Sequence, residues 1–475
     1  MVRAARSREA ATSDVPGRSR STGRAGSSRW ERDITGSLVW ASLLVVLALW
    51  VSNGGVQDLA GPRADAVIAL GRVTGLLASD LMLVQVLLMA RIPWLERAWG
   101  QDGLAAWHRI VGFVSVNGMV LHIVLITVGY SMAGDSTVVS EFVSMVLDYP
   151  GMLLALAGTL LLIMVAVTSV RRARRRLRYE SWHLLHLYAY LGTGLALPHQ
   201  LWTGADFLAS QAATLFWWSL WGLTAASVLV WRIGLPLVRT LRHRLVVERV
   251  VAEAPGVFSV YLTGRRLDRL PVRAGQFFVW RFLDGPGWSR GHPYSLSAAP
   301  DGRSLRITVQ DVGDGSSRVA RMAPGTRAMI EGPYGRLHGG VRTRRKATLM
   351  GAGIGIAPLV ALLEDLDNDR GELTVIYRVG EESSAPLRAE IDRLAAAKGA
   401  RVAVVAGHRI RGRDSWLPES AAHLTDAQAL QQLVPDIAEH DVFLCGGSGW
   451  MEAARRAALE AQVRASSIHL ERFSW

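Results

Sequence analysis

Five histidines lie in apolar stretches where an ionisable side chain is costly: His108 and His122 in one, and His183, His186 and His199 in another. A lone histidine in such a place is usually a hydrogen-bonded core residue, so the spacing decides whether ligation is in play. His108 and His122 are separated by about 21 Å of helix and sit only about 40° short of four full turns, so both imidazoles leave one face. His186 and His199 rise by about 20 Å but differ by roughly 140° around an ideal helix. That helix is therefore expected to be distorted, with Pro198, Gly192 and Gly194 as the cause. His183 lies about 24 Å from His199, too far to match the first pair. Two imidazoles at one depth on facing helices can clamp a haem iron from both sides. Iron held twice by histidine has no free position, which suits one-electron relay rather than substrate activation.

The elements that must carry these residues follow from composition. Half of the 475 residues are hydrophobic although 20% are charged, so different stretches live in different solvents. Six apolar runs of spanning length occupy roughly 34–52, 66–90, 104–130, 149–170, 182–201 and 212–235. The net charge is +13, and ten of those charges flank the runs: eight Arg against four acids between Met1 and Asp33, and six Arg between Arg171 and Arg178. Basic and non-basic connections alternate, which places the N-terminus and everything after the sixth run in the cytoplasm. An acid-containing leader and the lack of an A-x-A site make the first run an anchor rather than a signal peptide. Charge of this distribution, without aromatic interleaving, points away from nucleic acid. Runs three and five then both lead outward, so His108 pairs with His186 at the inner depth and His122 with His199 at the outer one. Two b-type haems, one above the other, are the expected result.

After residue 240, short alternating segments such as Phe258 to Leu262 and Phe277 to Phe282 read as strands, and the last third alternates strands with helices. Cys445 is the only cysteine, which excludes an internal disulfide and a thiolate-held iron-sulfur cluster. The run Gly351-Ala-Gly353-Ile-Gly355 follows a strand and opens a helix, where glycine lets the backbone approach a pyrophosphate. Arg378 ends the next strand, at the place where a 2′-phosphate would lie, with Arg409, Arg411 and Arg413 as helpers. This favours NADPH over NADH, while Glu381 and Glu382 count against it.

Paired histidines on the third and fifth of six spans, followed by a flavin domain, resemble the ferric reductase and NADPH oxidase family over all but the N-terminal tail. The segment Arg290-Gly-His292-Pro293-Tyr294-Ser295 resembles the motif of ferredoxin-NADP reductase flavin domains. The resemblance implies Tyr294 on the isoalloxazine and Ser295 at its N5. Gly313-Asp-Gly315-Ser316-Ser317 would offer amides and hydroxyls to the FAD pyrophosphate, Glu331-Gly-Pro-Tyr-Gly335 would turn at the end of the barrel, and Phe443-Leu-Cys445-Gly446-Gly447 would meet the nicotinamide. In Glu471-Arg-Phe473 the aromatic would cover the flavin, with Trp475 competing for the role. Arg72 matches a position expected to meet the outer haem or the acceptor; otherwise it snorkels to the interface.

The architecture expected is a disordered tail (1–33), a six-span α-helical di-haem membrane bundle (34–236), an antiparallel β-barrel for FAD (237–345) and an α/β NAD(P) domain (346–475). Flavin is needed because NAD(P)H gives two electrons as hydride whereas a haem takes one. Ser295 and Cys445 serve as positioning groups for the hydride. The acceptor is expected to be a ferric complex. The resemblance implies that oxygen-reducing relatives carry another histidine four residues after His122, where this chain has Ile126. A superoxide-producing oxidase and a haem subunit serving an extracytoplasmic protein are the alternatives. A non-enzymatic anchor beside a separate reductase predicts no haem.

Overall fold

The computed structural model describes residues 27–174, 179–285 and 287–471. Its first half is helical: α1 (Ser27–Ser52), α2 (Gly55–Leu59), α3 (Arg63–Met89), α4 (Pro93–Ala133), α5 (Val138–Asp148), α6 (Met152–Ser169), α7 (Arg171–Arg174), α8 (Tyr179–Trp202), α9 (Gln211–Ser227) and α10 (Leu235–His243). Five helical segments among the described residues are long and apolar enough to cross a membrane: Trp30–Ser52, Arg63–Met89, Pro93–Ala133, Met152–Ser169 and Gln211–His243. The fifth expected run forms α8, whose three histidines, Gln200 and Pro198 lower its hydropathy. Helix α8 continues through Pro198. A π-helical turn, Val228–Gly234, joins α9 to α10. Helix α1 begins inside the stretch expected to be a disordered tail, and there Arg32 donates its Nε–H to the Ala98 carbonyl at 2.6 Å.

Small residues set the spacing of the bundle. A Cβ on Gly71 would lie 2.9 Å from Ile126, one on Gly75 2.4 Å from the His122 ring, and one on Gly129 2.6 Å from Ile68. Helices α3 and α4 therefore touch nearly backbone to backbone, the usual way helices associate where lipid offers no hydrophobic drive. Gly158 of α6 stands just as close to the Gly192 carbonyl of α8. Asp80 of α3 is fully buried and accepts from Ser42 of α1 at 3.1 Å, which ties those two helices. Elsewhere the bundle turns apolar side chains outward, Phe113 at 72% exposure, as a lipid-facing surface requires.

The second half starts with six strands: β1 (Leu245–Ala254), β2 (Val257–Thr263), β3 (Phe277–Phe282), β4 (His292–Ser295), β5 (Ser304–Gln310) and β6 (Arg327–Tyr334), with the short helix α11 (Asp314–Val319). They form one antiparallel sheet in the order β4-β3-β6-β1-β2-β5, and a bridge between Leu296 and Ile307 brings its two edges together. The last part has β7 (Lys346–Ala352), α12 (Ile356–Asp365), β8 (Leu373–Val379), α13 (Arg388–Lys398), β9 (Arg401–Ala406), α14 (Asp426–Leu433), β10 (His440–Cys445), α15 (Ser448–Glu460) and β11 (Ile468–Leu470). These strands are parallel in the order β11-β10-β7-β8-β9, so the chain reverses direction across the sheet between β7 and β10. Strands β8 and β10 are buried along their whole length, as expected of parallel strands covered on both faces.

A charged cluster joins the halves. Arg91, in the connection between α3 and α4, lies 2.9 Å from Glu96 and 3.6 Å from Glu331 of β6, with its guanidinium 4.2 Å from the Tyr334 ring. Arg281 of β3 reaches the other Glu331 oxygen at 3.3 Å, and Arg239 of α10 donates to the Gly332 carbonyl. Burial works against the Glu331 charge, yet Arg91, Arg232 and Arg281 together hold its carboxyl below the usual range. The Glu331-to-Gly335 turn, expected as the end of a barrel, is thus also where the sheet docks on the bundle. Arg91→Ala removes the cation that contacts both Glu96 and Glu331. Breaking a buried pair from one side costs about 3–5 kcal/mol, less here because Arg281 remains. A lower melting temperature and faster proteolysis between α10 and β1 are expected, with partial recovery in Arg91→Lys; unchanged melting would contradict the clamp.

Candidate functional site

Helices α4 and α8 bring the histidines together as the spacing predicts at one depth. The His108 and His186 rings stand 5.8 Å apart, centroid to centroid. His122 and His199 face each other within electrostatic range at the other depth. His108 Nδ1 meets the Gln85 carbonyl at 3.2 Å, and His122 Nδ1 meets the Gly71 carbonyl at 2.7 Å. An imidazole whose Nδ1–H is donated to a carbonyl presents a bare Nε2, the arrangement metal-bound histidines adopt. Among the described residues no three His, Cys, Asp or Glu side chains form a metal cluster. Iron here would need a macrocycle to complete its coordination, and paired imidazoles fit a haem in that respect. His183 is turned elsewhere, with Arg232, Arg281 and Glu331 as its charged neighbours.

Below this bundle lies a cleft of about 690 Å³ walled by β4, the 313–316 loop, the β7–α12 turn and the end of β10; Ser181 of α8 also lines it. On one wall, β4 pairs with β3 so that Tyr294 lies opposite Phe278 and Ser295 opposite Phe277. The Trp280 indole donates to the Tyr294 carbonyl at 3.1 Å, and the Tyr294 ring stacks against His292 at 5.9 Å. Ser295 Oγ is buried with no partner, so this hydroxyl is available to a ligand in the cleft. Pro293, between them, pairs with Val279.

The opposite wall depends on close backbone approach. A Cβ on Gly355 would lie 2.4 Å from the Cys445 carbonyl, and Gly351 pairs with Cys445 in the parallel ladder. Gly353, at φ +54°, turns the chain from β7 into α12, and Gly446 packs on Ala352 and Trp450. The cleft therefore opens at the carboxyl ends of β7 and β10, where the strand order reverses and nucleotides bind in such sheets. Burial, reinforced by Glu471, pushes the Cys445 thiol up to about 12. It stays protonated at neutral pH, and a buried thiol of this kind is a poor nucleophile.

Several expected ligands are otherwise engaged. Ser316 Oγ accepts from the Val312 and Gly313 amides at 2.8 and 3.1 Å, and Ser317 Oγ donates to Asp311, so both hydroxyls stabilise their own loop. Gly315 remains suited to the wall, since a Cβ there would strike His292 at 2.6 Å. Arg378 is 6% exposed, and its guanidinium is spent on the carbonyls of Trp416, Val379, Val405 and His408. It ties strand ends together and is not free to grip a 2′-phosphate. Arg413 is likewise committed, to Asp426 and two carbonyls, whereas Arg409 and Arg411 are exposed beside the cleft's sheet. Arg72 makes a fork with Asp206 at 2.9 and 2.6 Å and reaches Asp58 at 2.8 Å, so it closes a loop junction instead of snorkelling. Phe473 and Trp475 lie outside the described residues.

Glu471 is the residue that motif reading passed over, although it heads the Glu471-Arg-Phe473 segment. It is 6% exposed and accepts from the Arg336 amide at 2.8 Å. Burial raises its carboxyl to about 7, against the pull of the Arg336 and Leu337 amides. A charged side chain directly after the short strand β11 was the available signal.

A helical membrane domain that presents paired histidines above a two-walled nucleotide cleft defines a membrane oxidoreductase class. Residues 74–197 match the ferric reductase like transmembrane component, and residues 349–456 match the oxidoreductase NAD-binding domain. Over 212 residues the chain is 31% identical to the ferredoxin reductase component of 3-ketosteroid-9-alpha-monooxygenase from Mycobacterium tuberculosis, covering 43% of this chain and 56% of that one. It is 25% identical over 132 residues to NADPH oxidase 1 of Mus musculus, covering 26% of this chain and 21% of that one. Among solved structures, the flavohem-like FAD/NAD-binding domain of nitric oxide dioxygenase from Vibrio cholerae aligns at a TM-score of 0.39 and 23% identity, over 48% of this chain and 98% of that one. The chain spans little more than half the length of the first of these curated relatives. It thus carries a segment matching a ferric-reductase-like transmembrane component, joined to one matching an NAD-binding oxidoreductase domain.

Glu471 supplies a pH test. Its folded value of about 7 lies above the ordinary 4.5, so the native state binds the extra proton. Stability is then full below about pH 4.5 and falls as pH rises towards 7, by up to about 3 kcal/mol. Glu471→Gln keeps the acceptor for Arg336 and should remove that slope; a melting-temperature profile with the same slope in both proteins would refute the assignment.

Proposed function

We propose that this chain is a six-span NAD(P)H-dependent oxidoreductase that moves electrons from the side of its soluble half, through FAD and two b-type haems, to a ferric complex on the far side. The observation that carries the reading is the pairing of His108 with His186 and of His122 with His199, on helices of which α8 also lines the nucleotide cleft. The domain boundaries proposed are 34–236 for the haem bundle, 237–345 for FAD and 346–475 for NAD(P). When bound, FAD and haem would supply the conversion of a hydride into single electrons and their passage across the bilayer.

The chain's own residues do the positioning. His108 and His122, held through Nδ1 by carbonyls of α3, and His186 and His199 opposite them would provide the iron ligands. Tyr294 and the free Ser295 hydroxyl would seat the flavin ring. Cys445 and the Gly351–Gly355 turn would bring the nicotinamide against it, with Cys445 neutral and packed. With Arg378 engaged, Arg409 and Arg411 are the cations left to distinguish NADPH from NADH.

The flanking arginines support a cytoplasmic soluble half and N-terminus. On that orientation, Asp58, Asp65, Asp135, Glu141, Asp148 and Asp206 face outward. The cations there, Arg63 and an Arg72 already paired with two of these acids, leave the face net negative. Such a surface attracts cationic or metal-bearing acceptors. Ile126 packs against Gly71 beside His122 and offers no hydrogen bond to dioxygen.

His186→Ala should lose the inner haem and stop NADPH from reducing the outer one while the flavin is still reduced; His183→Ala should retain both. Haem content and reduced-minus-oxidised spectra check this, and haem loss confined to His183→Ala would overturn the ligand set. In proteoliposomes, NADPH-driven reduction of a ferric chelate should outpace dismutase-sensitive superoxide formation. The reverse order would favour an oxidase and leave the electron path intact.

A further inference from the structure

Trp182 sits one helical turn before His186 on α8, and its indole lies 5.0 Å from the His186 imidazole, centroid to centroid, at 32°. Ser169, the last residue of α6, meets both rings. The indole Nε1–H donates to Ser169 Oγ at 3.4 Å, and His186 Nδ1 lies 3.3 Å from the same oxygen. The Arg174 guanidinium stands 4.3 Å from the centre of the same indole. Ser181, the neighbour of Trp182, lines the nucleotide cleft.

Hydrogen counting sets the roles. An indole N–H can only donate, so Ser169 Oγ accepts from Trp182. For His186 to ligate through Nε2, its Nδ1 must carry the hydrogen and donate as well. Ser169 Oγ then uses both lone pairs as an acceptor and sends its own proton elsewhere. His108 and His122, by contrast, each face a main-chain carbonyl. A carbonyl is a full acceptor, whereas the Ser169 hydroxyl is divided between two donors. The acceptor behind a ligating imidazole governs how strongly the ring donates to its metal.

We propose that Ser169 and Trp182 are positioning residues for His186: Ser169 fixes its tautomer by accepting from Nδ1–H, and Trp182, by sharing the same oxygen, weakens the donor strength of the imidazole, which raises the electron affinity of the inner haem site on the side nearest the nucleotide cleft. The proposal rests on His186 being an iron ligand.

The test is spectroelectrochemistry of the purified full-length holoprotein, read separately for each haem. In Ser169→Ala, Nδ1–H loses its acceptor, the imidazole donates less, and the equilibrium constant for reducing the inner haem should rise by a few-fold to about tenfold, the scale of one hydrogen bond. In Trp182→Phe, packing is largely kept while the competing donor is removed. Ser169 then accepts from His186 alone, and the same constant should fall by a similar factor. The outer haem should not move in either variant, and Ser169→Thr should restore the native value. Shifts of the same sign in the two variants, equal shifts in both haems, or no shift in either overturn the proposal. If Ser169→Ala binds no inner haem, the sign in Trp182→Phe decides alone. Retention of both haems by His186→Ala would instead overturn the ligand assignment beneath the proposal.

Discussion

Two main-chain carbonyls, those of Gly71 and Gln85, hold the imidazoles of α4, and the membrane half is organised around keeping α3 close enough to offer them. The bilayer supplies no water to satisfy an imidazole N–H, so a neighbouring helix must. A helical carbonyl is normally occupied by its own helix, and it can take a second hydrogen bond only if the donor comes very near. Gly71 and Gly75 make that approach possible: at Gly75 even a methyl group would collide with the His122 ring. Once Nδ1 is fixed in this way, Nε2 points towards α8, and the partner histidines there acquire their meaning.

A second consequence of low dielectric appears at the junction of the halves. Arg91, Glu96 and Glu331 are nearly buried there beside the neutral Tyr334 phenol, and none of the three charges is tolerable alone. Arg91 joins them across the boundary: it and Glu96 come from the bundle, Glu331 and Tyr334 from the sheet. Such a pairing adds little net stability compared with apolar packing, but it makes any other docking orientation costly. The geometry that follows lets Ser181 of α8 form part of the nucleotide cleft. Charge pairing thus contributes to the relation between cleft and histidines.

Within the cleft, burial shapes the chemistry of its titratable groups. Cys445 is kept a thiol by burial and by nearby Glu471, whose own carboxyl burial raises to about 7. The thiol therefore adds no charge to the cleft at neutral pH. The unpartnered Ser295 hydroxyl is a polar group on the flavin wall with hydrogen-bonding capacity to spare.

Periodicity and spacing in the sequence already determined the helical half, the strands Phe277–Phe282 and Leu373 onward, the glycine turn after β7 and the four histidines at two depths. These are local properties: apolar period, helix rise and the demand for glycine at a close approach act over a few residues, so they can be read along the chain. Only the tertiary structure decided which polar groups were already spent. Arg378 is consumed by carbonyls from 416, 405 and 408, Arg72 by Asp206 across 134 residues, and Ser316 and Ser317 by their own loop. The continuity of α8 through Pro198, the helical start at Ser27 and the burial of Glu471 belong to the same class. A side chain's type states what it can bond to, but whether it is free depends on donors and acceptors brought from distant segments, and that is settled only when the chain packs.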